Sequence, residues 1–292
     1  MKVAILGPLG TYTHEAAFQV FGSRATYEQR KSVADVFMTL SSQVPLAVVP
    51  QENSIFGNVV ETYDLLRAAD PTFIRGEITL KVVHCLLVRK GVKLHQIKRI
   101  MSHEQALGQC RSFIAEKLPS AYTIKTSSTA TAAQALLDNP LDCAAICSSI
   151  CATLFDGLEI LFSGIQNEQS NFTRFYITAY TRSFDLPPFL TSRCERKALV
   201  RLSAPSPSFP DIDACSYDIT KYLKLLDLFA ARVDRRPSLE PKPFHNVYFV
   251  EVQGTLCDAR DAATLEAWTS EVEKAITRVK HAGGLIDLVG LW

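Results

Sequence analysis

The 292 residues carry 31 Lys and Arg against 30 Asp and Glu, with 47% hydrophobic and 21% charged side chains. That is enough apolar material for two ordinary cores and excludes a disordered chain, while a net charge of +1 leaves no global field to hold nucleic acid or an anionic membrane. Any anionic ligand must therefore be met by a local site. The apolar start at residues 3–6 is too short for a signal peptide, and no later run approaches the roughly 20 residues of a membrane span, so the expected location is cytoplasmic. The 8 cysteines are scattered through apolar runs of a chain large enough to be stable without cross-links, which predicts reduced, mostly buried thiols.

In chain order, a strand over 2–7 leads to a helix over 13–21, a strand over 46–49 and a helix over 59–68. A long alternating strand is predicted over 77–89. A second series follows, with strands over 98–101, 122–125 and 143–147 and helices over 106–116 and 129–137. A further strand over 172–179 returns. This is an α/β pattern of two similar lobes, with 77–89 and 172–179 as hinge crossings and a ligand cleft expected at the carboxyl ends of the strands. Cys143, Cys147 and Cys151 have metal-like spacing, but the first two belong to a strand and the third to a helix over 148–155, so they would not share a face and no metal is expected. The stretch 185–189, with Pro187-Pro188, reads as a linker. Beyond it, strand 197–202, helix 219–231, strands 232–235 and 246–252, helix 265–281 and strand 285–291 make βαββαβ, the ferredoxin-like order. The last helix would place Ala267, Val272, Ala275, Ile276 and Val279 on or near one face.

Polar residues with ligand-binding character cluster at the strand ends. Gly7-Pro8-Leu9-Gly10-Thr11-Tyr12-Thr13 is a tight turn entering a helix, where Thr11 or Thr13 could cap the helix or help to hold a carboxylate at its positive end. Glu52-Asn53-Ser54 follows a buried strand. Ser102-His103-Glu104-Gln105 and Thr126-Ser127-Ser128-Thr129 occupy matching places in the second series, and among these Gln105 and Ser128 outweigh His103, which reads as a structural histidine. Glu104 must turn outward from any anion. Asn171-Phe172-Thr173-Arg174-Phe175 sets a hydroxyl beside a guanidinium between aromatics, although strand alternation puts Thr173 and Arg174 on opposite faces unless the strand is bulged.

Taken together, these segments resemble the prephenate dehydratases, whose turn reads Gly-Pro-x-Gly-Thr-x-Ser, here with Thr13 for the Ser, and whose Glu-Asn-Ser is matched by 52–54. The resemblance implies a two-lobed catalytic domain of the type II periplasmic-binding-protein-like class over 1–183, with lobe one at 1–78 plus 172–183 and lobe two at 79–171. It implies a linker over 184–194 and a ferredoxin-like ACT regulatory domain over 195–292. The expected enzyme is a monofunctional lyase, since the first strand begins at Lys2, and it turns prephenate into phenylpyruvate for phenylalanine synthesis without cofactor or metal. Thr173 would donate a hydrogen bond to the leaving hydroxyl. Thr11, Thr13, Glu52, Asn53, Ser54, Gln105, Ser128 and Arg174 would hold substrate oxygens, and Phe175 with Phe172 would form an apolar wall. Feedback by phenylalanine is implied, with Asp234, Arg236 and Pro237 as its contacts in Val233-Asp234-Arg235-Arg236-Pro237, similar to the family's Ile-Glu-Ser-Arg-Pro. The family's Pro-Gly-Ala-Leu turn is replaced by 211–218. A homodimer or homotetramer is expected, with no nucleic-acid or membrane partner. The rival readings are an arogenate dehydratase and a non-catalytic small-molecule sensor.

Overall fold

The computed structural model describes residues 1–68, 72–191, 196–205, 219–240, 242–254 and 262–292. Its elements run β1 (Lys2–Leu6), α1 (Tyr12–Phe21), β2 (Thr26–Arg30), α2 (Val33–Thr39), β3 (Leu46–Asn53), β4 (Gly57–Asn58), α3 (Val60–Leu66), β5 (Phe73–Lys81) and β6 (Cys85–Arg89). They continue with β7 (Arg99–Ser102), α4 (Glu104–Gln109), α5 (Arg111–Lys117), β8 (Tyr122–Lys125), α6 (Thr129–Ala135), β9 (Cys143–Cys147), α7 (Ile150–Leu154), β10 (Leu158–Ser163) and β11 (Phe172–Ala179). The last are α8 (Pro188–Thr191), β12 (Lys197–Ser203), α9 (Thr220–Leu226), β13 (Phe229–Pro237), β14 (Asn246–Gln253), α10 (Ala262–His281) and β15 (Leu285–Leu291). Two compact units result: Met1–Val59 with Ile78–Phe175, and Val60–Glu77 with Tyr176–Trp292.

In the first unit β1 lies between parallel β2 and β3, and β4 turns back antiparallel on the end of β3. A second sheet has the order β10-β6-β9-β7-β8. Helix α1 starts where the Thr11 hydroxyl accepts from the His14 amide, and it buries Thr13, His14, Ala16, Ala17, Val20 and Phe21, a spacing of three and four that puts one face on the sheet. Cys85, Cys110, Cys143, Cys147 and Cys151 are buried and free. Cys143 and Cys147 stand on β9 and Cys151 on α7, as the strand over 143–147 and the helix over 148–155 predict.

Several expected elements differ. The strand predicted over 77–89 is two strands of different sheets. Between them the Gln166 side chain accepts from the His84 amide at 3.0 Å and donates to the Val82 carbonyl oxygen at 3.3 Å, while the Val82 amide donates to Asn171 O at 2.8 Å. These bonds replace ladder partners, so the backbone can leave one sheet and enter the next without an orphaned buried amide. The helix expected over 106–116 breaks at Cys110, whose φ of −108° and ψ of 15° are not helical. Strands β2 and β10 and helix α2 were not foreseen; both strands end their sheets and carry polar residues, which weakens the alternating signal.

In the second unit β12-α9-β13-β14-α10-β15 forms an antiparallel sheet ordered β13-β14-β12-β15. Helix α9 is shorter than the predicted 219–231: Asp227 takes a left-handed conformation at φ 49°, ψ 41°, and the apolar run that follows it is the start of β13. In α10, Trp268, Val272, Ala275, Ile276 and Val279 are buried under the sheet, whereas Ala267 is exposed. The stretch 211–218, read as replacing a family turn, lies outside the described residues.

Candidate active site

Strand ends and helix starts of the first unit converge on a cavity of about 470 Å³. The first turn of α1 contributes Thr11, Tyr12 and Thr13, the entry to α4 gives His103 and Gln105, and the entry to α6 gives Ser127, Ser128 and Thr129. The end of β3 adds Asn53, the start of β11 adds Thr173 and Phe175, and Asn171 precedes it. The segments between β5 and β6 and at the end of α4 add Val82, His84 and Gln109. The amides of Tyr12 and Thr13, at the first two helical positions, have no intrahelical acceptor and lie at the positive end of a ten-residue helix. Among the described lining residues none is Asp, Glu, Lys or Arg.

Thr11 and Ser128 cap their helices through side-chain oxygens, and both also line the cavity, so capping and lining coexist. The turn before α1 is tight. Gly10 has φ +96°, and a Cβ there would come within 2.8 Å of Cys151 Sγ and 3.2 Å of Ala130 Cβ. Only glycine both adopts that conformation and lets the turn approach α6 and α7 so closely.

Asn53 is the junction of the polar wall. Its Nδ2 donates toward Asn171 Oδ1 at 2.7 Å, Thr173 Oγ1 at 3.0 Å and Phe172 O at 3.1 Å, two hydrogens being shared among three acceptors. Its Oδ1 accepts from the amides of Ile55 and Phe56, fixing the amide's orientation. Because Thr173 Oγ1 accepts from Asn53, the threonine hydroxyl keeps its proton for another acceptor. Thr173 and Phe175 share the cavity face of β11, and Phe175 is fully buried.

Four expected contributors are not among the lining residues. Alternation turns Phe172 and Arg174 away from the cavity face: Phe172 is 40% exposed, and Arg174 forms an ion pair with Glu52. Ser54 accepts from the Phe172 amide at 2.9 Å and donates to Ser170 O at 3.0 Å, stitching the end of β3 to the strand that carries Thr173. Glu104 points outward to Lys125. In the second unit Arg236 makes two hydrogen bonds to Asp64, at 2.6 and 2.9 Å, that hold the Asp64 carboxyl below its usual range. Arg67 donates to Pro237 O at 2.6 Å, and Asp234 pairs with Arg232 at 2.7 Å.

Sequence reasoning missed Tyr12, His84 and Gln109. The Tyr12 hydroxyl is 2.6 Å from His84 Nδ1, and His84 Nε2 is 2.5 Å from Gln109 Oε1. Burial lowers the His84 pKa, which keeps the ring neutral near pH 7, and pushes the Tyr12 phenol well up. A histidine inside an apolar stretch, Val82-Val83-His84-Cys85-Leu86, was the available signal.

A model of the prephenate dehydratase family matches residues 3–182. The bifunctional chorismate mutase/prephenate dehydratase of Aquifex aeolicus is 30% identical over 291 residues, which are 99% of this chain and 73% of that protein. That of Pseudomonas aeruginosa is 38% identical over 178 residues, 61% of this chain and 48% of that protein, so the match spans about half of the longer relative. Among solved structures, the prephenate dehydratase of Arthrobacter aurescens in complex with L-Phe is similar over 100% of this chain and 89% of its own, with a TM-score of 0.78 and 27% identity. With more than half of its length under the family model and an α/β fold shared with a solved member, the chain belongs to the prephenate dehydratase family.

Proposed function

We propose that the chain converts prephenate to phenylpyruvate, with carbon dioxide and water as co-products. Carbon dioxide leaves the ring carboxylate, its bonding electrons enter the ring, and hydroxide departs from the opposite carbon and takes up one proton as water. Aromatisation supplies much of the driving force. The protein then has to hold the dianion, hydrogen-bond the departing oxygen and exclude water. The observation that carries this reading is the Asn53–Thr173 hydrogen bond at the cavity wall, which leaves the threonine proton for the leaving hydroxyl beside the apolar ring of Phe175. Threonine is too weak an acid for full proton transfer, so its part is preorganised hydrogen bonding to a developing hydroxide.

Thr13, Gln105 and Ser128, with the first amides of α1, are the holders of substrate oxygens in this reading, whereas the expected Thr11 hydroxyl donates to Leu6 O at 3.0 Å and accepts from the His14 amide, and so shapes the turn. Glu52, Ser54 and Arg174 act from behind the wall by bracing β3 against β11. The absence of carboxylates among the described lining residues favours prephenate over arogenate, whose ammonium would be desolvated without a counter-charge from them. The assay is purified protein with each substrate at matched concentration. Phenylpyruvate absorbance from prephenate, and a lower kcat/KM for arogenate, are expected; no turnover of either overturns the reading in favour of a sensor.

Along the sequence we read 1–183 as the catalytic domain, 184–194 as a linker and 195–292 as an ACT-like regulatory domain that senses phenylalanine. The βαββαβ order with sheet order β13-β14-β12-β15 supports it, as does the L-Phe bound by the Arthrobacter aurescens relative. Asp234, Arg236 and Pro237 are the proposed contacts, and self-association as a dimer or tetramer is part of the same reading. Inhibition of turnover by added phenylalanine, lost in Arg236→Ala, tests the ligand; light scattering across concentrations tests the assembly.

A further inference from the structure

Tyr12, His84 and Gln109 reach the cavity from three places in the chain, and their hydrogen bonds run in one direction. An amide oxygen can only accept, so the 2.5 Å contact from His84 Nε2 to Gln109 Oε1 places the imidazole proton on Nε2. Nδ1 is then an acceptor, and at 2.6 Å it takes the Tyr12 hydroxyl proton in preference to Val83 O at 3.3 Å. The backbone that carries the ring is fixed: its amide is held by Gln166 and its carbonyl oxygen accepts from the amides of Gly164 and Ile165. With its oxygen taken, Gln109 has only its NH₂ group left for the cavity it lines, and that nitrogen has no hydrogen-bond partner among the described residues.

We propose that His84 is a positioning residue: pinned by Tyr12, it holds the Gln109 amide so that the NH₂ group donates to the carboxylate of the substrate's oxo-acid arm. This rests on the reading of the chain as a prephenate dehydratase. The arm carboxylate is chosen over the ring carboxylate on chemical grounds. The ring carboxylate must surrender its charge as carbon dioxide, so a firmly aimed donor there would stabilise the ground state and slow the reaction. The arm carboxylate persists from substrate to product, and a fixed donor to it binds both alike.

Such binding is uniform, so its loss raises KM and leaves kcat nearly alone. Tyr12→Phe removes one oxygen and keeps the ring, freeing the imidazole to change tautomer and the Gln109 amide to turn its oxygen toward the ligand. Expected are a rise of roughly tenfold in KM for prephenate and in the calorimetric Kd for phenylpyruvate, kcat within about threefold, and a melting temperature within a few degrees of wild type. Gln109→Glu should weaken phenylpyruvate further by repulsion, and Tyr12→Phe should add nothing to Gln109→Ala. A Tyr12→Phe protein with unchanged KM and Kd overturns the inference, as does one whose kcat falls while KM holds, or a wild type that does not bind phenylpyruvate. Failure of the catalytic reading is separate: wild-type protein would then bind phenylpyruvate with the Tyr12 dependence above yet form none from prephenate.

Discussion

Replacing Asn53 by Asp changes almost no volume and inverts the direction of the hydrogen bonds at the cavity wall. The native amide donates toward Asn171 Oδ1, Phe172 O and Thr173 Oγ1, at 2.7, 3.1 and 3.0 Å, and a carboxylate can donate to none of them. Asn171 can rotate its amide to recover one bond, but the Phe172 carbonyl oxygen cannot, and the Thr173 hydroxyl would turn its proton onto the new carboxylate. The loss of partners costs about 1–3 kcal/mol of stability. Removing an aimed donor from the leaving oxygen costs about a hundredfold or more in kcat. Phenylpyruvate formation under saturating prephenate measures the second, and thermal unfolding the first. If Asn53 works through Thr173, Asn53→Asp in a Thr173→Val background should cost far less than it does alone, because the hydroxyl it orients is already gone. A single Asn53→Asp variant with kcat within about threefold of wild type, or effects that simply add, would refute the reasoning.

Three further outcomes follow from the geometry. Gly10→Ala should lower stability by about 2 kcal/mol or more in chemical denaturation, because the new Cβ meets Cys151 Sγ at 2.8 Å in a left-handed backbone; a wild-type midpoint would contradict the packing. Arg174→Lys should change KM by less than about twofold and stability by less than about 1 kcal/mol, since Arg174 pairs with partly exposed Glu52 behind the wall; a large KM rise would put Arg174 on the substrate. His14, whose Nδ1 accepts from the Gly10 amide at 3.2 Å, is held down at about 4 by burial. Its folded pKa lies below the unfolded value of 6.5, so the unfolded state binds the proton first and stability should fall as pH drops from about 6.5 toward 4, staying level above. Denaturation at pH 7 and pH 5 should show this, and His14→Gln should flatten that part of the slope; an unchanged slope would exclude His14 as its source.

The parts of this molecule that could be read from the chain are those where one local signal decides the outcome. Thr11 at the turn into α1, Asn53 at the end of β3, Thr173 near the start of β11 and Ser128 at the cap of α6 each set a hydroxyl or amide at the boundary of an element, and these residues share the cavity. Alternation along Phe172-Thr173-Arg174-Phe175 already separates Thr173 from Arg174, and only Thr173 and Phe175 of the four line the cavity. What stayed hidden depends on partners distant in sequence. His84 reaches the cavity because Gln166 and Asn171 replace ladder bonds where β5 gives way to β6, and no periodicity within 77–89 reports a change of sheet. Nor could the run Leu225–Ala231 show that Asp227 would turn left-handed and convert helix into strand.

A lining with no Asp, Glu, Lys or Arg among the described residues looks like a defect for a dianionic substrate until the direction of charge movement is considered. During the reaction one of the two negative charges leaves a carboxylate and moves to the departing oxygen. A lysine or arginine on the ring carboxylate would bind the ground state well and then oppose its conversion to neutral carbon dioxide, raising the barrier by the amount it had contributed to binding. In the proposed reading hydroxyls, amides and the dipole of α1 attract the ligand, and each contributes less than a buried ion pair would. The one guanidinium on β11, that of Arg174, is turned away and paired with Glu52. That ion pair ties the strands that carry Asn53 and Thr173 together, so Glu52→Gln, which weakens the tie between β3 and β11, should slow turnover through a mis-set strand although neither residue lines the cavity. A Glu52→Gln protein with wild-type kcat and KM would show that the pairing has no such role.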